Sequence, residues 1–143
     1  MFRPISTMMH GILDYVTAPT LIGLPRVLGW DQKVTLVLNG AGVGALVYSV
    51  LTRYELGLVK VLPMKVHLAL DMASGGMLAL SPLILLNRRE RHVATTATLV
   101  GLGLYEIAAG LLTQTQSPIE EAADLEKAAE TLLSMEQYRT TAV

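Results

Sequence analysis

Apolar and polar positions alternate along the chain in long blocks. Four apolar runs, at about 5–24, 34–52, 65–86 and 93–113, are separated by short polar connections. Crossing a hydrocarbon core as a helix takes about 20 residues, so each run is long enough. In lipid the backbone must satisfy its own hydrogen bonds, which makes such runs helices rather than strands. The pattern predicts an all-α, four-helix transmembrane bundle. Two of the runs carry polar residues at matching places. HGILDYVTAPTLIGLPRVLG begins at His10 and HLALDMASGGMLALSPLILL at His67, each with an aspartate four residues on, Asp14 and Asp71.

The tail after Thr113 has another pattern. Ser117-Pro118-Ile119-Glu120 is a capping box with proline at the first helical position. Leu125, Ala128, Leu132 and Met135 then recur at helical spacing, predicting an amphipathic soluble helix. Its acids Glu120, Glu121, Asp124, Glu126, Glu130 and Glu136 outnumber Lys127 and Arg139, so an anionic membrane surface is a poor partner. The expectation is that it packs on the protein itself or on a second copy.

Composition agrees with the membrane reading: 52% of the 143 residues are hydrophobic and 16% charged, too apolar for an ordinary soluble domain. A net charge of −1 and the lack of a long Lys/Arg run give no footing for nucleic acid. With no cysteine, disulfides, Fe–S clusters and thiolate zinc sites are excluded. The first run has one preceding basic residue, Arg3, but it contains His10 and Asp14 and lacks an A-x-A-like site after it. It reads as a retained span rather than a signal peptide. Trp30, in the first connection, suits the headgroup zone. Basic residues divide almost evenly: Arg3, Arg53, Lys60 and Lys65 on one side, and Arg26, Lys33, Arg88, Arg89 and Arg91 on the other. With the N-terminal amine added to the first set, the leaning is towards both termini in the cytoplasm. Gly40 and Gly44 form a GxxxG face, and Ala97 with Gly101 a similar one, each suited to close helix approach and to a homodimer.

An ungapped shift of 57 residues superimposes the halves. His10 falls on His67, Asp14 on Asp71, Pro25 on Pro82, Gly44 on Gly101 and Tyr48 on Tyr105. The organisation expected is a first two-helix repeat at 1–57, a second at 58–114 and the acidic tail at 115–143. Each repeat holds an even number of spans, so both insert the same way up. Two such repeats, with Ser81-Pro82 and the looser Leu24-Pro25 late in the first span of each, resemble the SPW-repeat family of small bacterial membrane proteins. Leu83 and Arg26 stand where that motif has tryptophan. The resemblance covers about 5–113 and implies a multi-pass protein of the cell inner membrane; it implies no activity.

Residues four apart share a helix face, so each His and Asp points the same way, the histidines one to two turns inside the membrane and the aspartates one turn deeper. Tyr48, Tyr105 and Glu106 come from the returning helices at the same level. Ionisable groups in a span cost several kcal/mol unless they pair or neutralise, so these seven are expected to face one another. Three readings follow. The favoured one is a structural His–Asp network that fixes helix packing. The second is a divalent transition-metal site from His10, Asp14, His67 and Asp71, a donor set suited to Zn²⁺ and tolerable for Mn²⁺ or Fe²⁺. Its spacing is similar to that in zinc transporters of the cation-diffusion-facilitator type, a likeness of the site alone. The third is a proton relay with Glu106 as the group lacking a twin, or quinone or haem binding. No phosphate-binding loop and no catalytic set outside the spans is present, so an enzyme is not expected.

Overall fold

The computed structural model describes residues 2–87 and 92–141. Arg88, Arg89, Glu90 and Arg91, which carry part of the charge argument, lie outside the described residues. The described chain is all-α: α1 (Thr7–Val27), α2 (Gln32–Leu51), α3 (Met64–Ile84), α4 (Val93–Leu112) and α5 (Pro118–Thr141). α1 packs along α2, α3 along α4, and α2 joins the pairs through α3.

Local chemistry sets the helix starts. The Ser6 hydroxyl accepts from the Met9 amide at 3.2 Å. Asp31 accepts from Lys33 and Val34 at 2.9 and 3.1 Å. These are N-caps, which satisfy amides the first turn leaves unpaired. α3 begins after Pro63 without a cap from its own sequence neighbours. Its Met64 amide instead donates to Glu120 Oε1 at 3.0 Å. Glu120 also closes the capping box, accepting from the Ser117 amide at 3.2 Å while its own amide donates to Ser117 Oγ at 3.2 Å. One carboxylate thus ties the start of α5 to the start of α3.

Among the described residues three helices are long and apolar enough to cross a membrane: α2, α3 and α4. The 21-residue α1 is not among them. Thr7, His10, Asp14, Thr17, Thr20 and two prolines in it offset its apolar residues. An apolar core of Leu21, Val34, Leu38, Leu78, Leu86 and Leu99 shares the interior with Thr7, His10, Ser49, His67, Asp71, Ser81, Thr95 and Glu106, while Leu36, Met77 and Val16 stand more than half exposed. Outward apolar side chains and inward ionisable ones are compatible with a lipid surrounding.

Close helix approach occurs at Gly42 and Gly103. A Cβ on Gly42 would lie 2.6 Å from the Ala18 carbonyl oxygen, and one on Gly103 2.3 Å from that of Gly75. The expected faces differ: Gly40, Gly44 and Gly101 have open space where a side chain would be. A helix can present only one side to its neighbour, and Gly42 and Gly44 lie about 200° apart around the axis. α1 and α3 begin 57 residues apart (Thr7, Met64), but α2 and α4 begin 61 apart (Gln32, Val93). The ungapped shift therefore matches the first pair of helices and misaligns the second.

Of the two partners expected for the tail, this chain is not one. α5 has no buried residue; Leu125, Leu132 and Met135 are all exposed. Only its first turn is anchored, so its apolar stripe does not pack on this chain.

Candidate metal centre

One end of the helix assembly is closed by short extended segments. Ile5 bridges to Thr113, and Leu62 to Thr52. The Ile5 amide donates to Leu112 O at 3.1 Å and the Leu62 amide to Leu51 O at 2.8 Å. These bridges fix Thr113 and Thr52, the residues just past α4 and α2, above the first turns of α1 and α3. Tyr54, wholly buried in the connection between α2 and α3, covers the same end. Its ring occupies the place a side chain on Gly11 would take, 2.1 Å from that Cβ position. Burial pushes its hydroxyl above the usual tyrosine range.

Beneath this cover, His10, Asp14, His67 and Asp71 converge, each offering a ligand atom within 4.8 Å of the others. The two Nε2 atoms lie 3.2 Å apart. His10 Nε2 is 2.8 Å from Asp71 Oδ2 and 3.5 Å from Asp14 Oδ1. His67 Nε2 is 3.0 Å from Asp14 Oδ2 and 3.2 Å from Asp71 Oδ2. Both histidines are buried, and the two aspartate side chains are 12% and 6% exposed. The imidazole rings meet edge to face, 5.2 Å apart at 74°.

Four hydroxyls hold the four side chains. Tyr48 donates to Asp71 Oδ1 at 2.6 Å and Ser49 to Asp14 Oδ2 at 3.0 Å. Thr113 Oγ1 lies 2.8 Å from His10 Nδ1, and Thr52 Oγ1 2.8 Å from His67 Nδ1. The threonines decide the tautomers. Each donates its one hydroxyl proton down its own helix: Thr113 to Ala109 O at 2.7 Å, Thr52 to Tyr48 O at 2.6 Å. A hydroxyl has one proton to give, so each oxygen accepts from the imidazole, and Nδ1 carries a hydrogen in both rings. In a neutral imidazole Nε2 then presents a lone pair. Where both rings are neutral, two lone pairs and two carboxylates point into one space; where both are protonated, two N–H groups face the carboxylates instead.

Of the residues picked out by sequence, the structure brings His10, Asp14, His67, Asp71 and Tyr48 into direct contact. Glu106 lies beside them rather than among them. It is buried, and its Oε2 has no hydrogen-bond partner among the described residues. Tyr105 stands further out, 39% exposed, its hydroxyl accepting from Thr17 at 3.4 Å. Sequence reasoning missed Thr52, Thr113 and Ser49. The signal for the two threonines is the Leu-Thr pair ending both returning helices, Leu51-Thr52 and Leu112-Thr113, which a shift of 61 aligns; Ser49 has no such twin, since Gly110 stands at its place.

Among the described residues, the fold and site define a helical chain with three membrane-length apolar helices and an interior two-histidine, two-aspartate cluster. The chain matches no protein-family profile, no curated protein and no solved structure.

Proposed function

We propose that this is an integral membrane protein holding one divalent transition-metal ion among His10, Asp14, His67 and Asp71. The observation that carries the reading is the threonine pair. With both rings neutral and both Nδ1 hydrogens given to Thr52 and Thr113, only acceptors face the centre. A divalent cation satisfies all four and balances the two carboxylate charges in a medium where net charge is costly. The four ligand atoms lie within 4.8 Å of one another, and the distances that involve a histidine are 2.8–3.5 Å, close enough for one ion with bonds of about 2.0–2.1 Å to be reached by all four side chains after small adjustments. Imidazole Nδ1–H to hydroxyl, and hydroxyl to carboxylate, are the supporting bonds that orient metal ligands.

The membrane part of the proposal is a four-helix bundle of two tandem hairpins, with α1 as the fourth span. Met8, Met9, Ile12 and Val16 on its outer side are exposed apolar residues, and its histidine and aspartate face inward. The matched contacts support the repeat: Ile5–Thr113 with Leu62–Thr52, and Gly42–Ala18 with Gly103–Gly75. A relation to the SPW-repeat family, and with it placement in a bacterial inner membrane, rests on that repeat and on Ser81-Pro82; the leaning towards cytoplasmic termini rests separately on the division of Lys and Arg between the two sides. Self-association is part of the same reading, through the outward Gly40/Gly44 and Ala97/Gly101 faces or the uncovered stripe of α5.

A second reading is favoured by the 2.8 and 3.0 Å contacts, which are ion-pair distances. Protonation of both rings would make two crossed imidazolium–aspartate pairs, a network that only fixes packing. Elemental analysis of the purified chain separates the two. The metal reading expects about one transition-metal ion per chain, lost in His67→Ala. Background metal in both proteins, with a lower Tm for the variant, overturns it in favour of the network.

A further inference from the structure

A cavity of about 20 Å³ adjoins the centre, lined among others by His10, Asp14, Asp71, Thr17, Tyr105 and Glu106. That volume admits one water molecule and little more, and a buried water needs two to four polar partners. Glu106 supplies a partner that nothing else in the described chain uses. The residue is 8% exposed and its Oε2 is unsatisfied, and an acceptor left bare in a low-dielectric interior is destabilising. It also breaks the symmetry of the surroundings. At the 61-residue offset Glu106 corresponds to Ala45, which lines the same cavity from α2. The carboxylate is thus present on one side of the centre only.

We propose that Glu106 holds a water molecule on the bound metal, giving the centre an open fifth position rather than a closed four-ligand shell. This rests on the metal reading above. The water's oxygen coordinates the ion, and one of its hydrogens is donated to Glu106 Oε2. Structural metal sites are closed by protein ligands, whereas sites that exchange or activate small molecules keep a position for water. Glu106 therefore sets the class of ligand: water, hydroxide or a comparably small species. Anything of drug or quinone size is excluded by the cavity.

The test is the visible spectrum of the full chain, purified in detergent and loaded with Co²⁺. Four-coordinate Co²⁺ absorbs strongly and five-coordinate Co²⁺ weakly. Wild type is expected to show the weak bands. Glu106→Leu, which fills the cavity with an apolar side chain, is expected to raise the absorption several-fold at unchanged Co²⁺ stoichiometry. Glu106→Gln keeps an oxygen acceptor and the side-chain shape and is expected to retain the weak bands; if Glu106→Leu fails to fold, Glu106→Val is the second variant, expected like Glu106→Leu to raise the absorption, and equal spectra for it and wild type overturn the proposal. Strong bands in wild type, or equal spectra for wild type and a folded Glu106→Leu, overturn the open position while leaving the four-ligand centre intact. A wild-type chain that takes up no Co²⁺ overturns the centre and the water together.

Discussion

Replacing Thr52 by valine removes one oxygen and preserves the branched shape of the side chain. His67 is fully buried, so its Nδ1 hydrogen, now 2.8 Å from an acceptor, would face a methyl group. A buried donor left bare costs about 1–3 kcal/mol. The ring avoids that cost by moving its hydrogen to Nε2, where Asp14 and Asp71 lie at 3.0 and 3.2 Å. The shift removes the lone pair that the metal needs. Loss of such a supporting bond typically weakens metal binding by about 10–100-fold, or about 1.4–2.8 kcal/mol. Thr113→Val should do the same through His10, because its distances match. Competition against a chromophoric chelator, with the chain in detergent or nanodiscs, measures the change. Thr52→Ser keeps the hydroxyl and should bind as wild type does. Wild-type affinity in both valine variants would refute the tautomer argument, since the threonines would then have no hold on the lone pairs.

Other outcomes follow from single contacts. Gly103→Val drives a side chain into the Gly75 carbonyl oxygen and should destabilise the fold by about 1–3 kcal/mol; Gly44→Ala, facing open space, should leave the Tm of the monomer unchanged. Tyr48→Phe deletes the 2.6 Å bond to Asp71 but keeps the ring 4.9 Å from His67. It should weaken metal binding by about tenfold with little change in the circular dichroism spectrum. Glu120→Ala removes the acceptor for the Met64 and Ser117 amides and should cost about 0.5–2 kcal/mol, seen as faster hydrogen exchange at the start of α3. If α5 covers its stripe with a second copy, Leu132→Glu should abolish a cross-linked dimer; a dimer that survives the change places the contact elsewhere.

Helices α1 to α4 were legible from local periodicity, and the meeting of His10, Asp14, His67 and Asp71 from the cost of leaving ionisable groups unpaired in a span. An apolar run of membrane length is a helix, and residues four apart share its face. What was not legible depends on register between helices. The two returning helices are offset by 61 residues, as Gln32 and Val93 show, because the connection before α4 is four residues longer than that before α2. An ungapped comparison pairs Gly44 with Gly101 and hides both the glycines that touch a neighbour, Gly42 and Gly103, and the threonines that orient the imidazoles. Tyr105 fell short of the centre for the same reason: the 57-residue shift paired it with Tyr48, although α4 places Ala109 at the corresponding position. The tail's capping box was readable from four residues. Whether its stripe met this chain was not, because amphipathicity fixes a face and not its partner.

X-ray absorption at the metal edge of the loaded, full-length protein addresses the central claim most directly. The account predicts a shell of nitrogen and oxygen at about 2.0–2.1 Å, with the outer-shell scattering of two imidazoles. A shell of oxygen alone, with no imidazole scattering behind it, would contradict it.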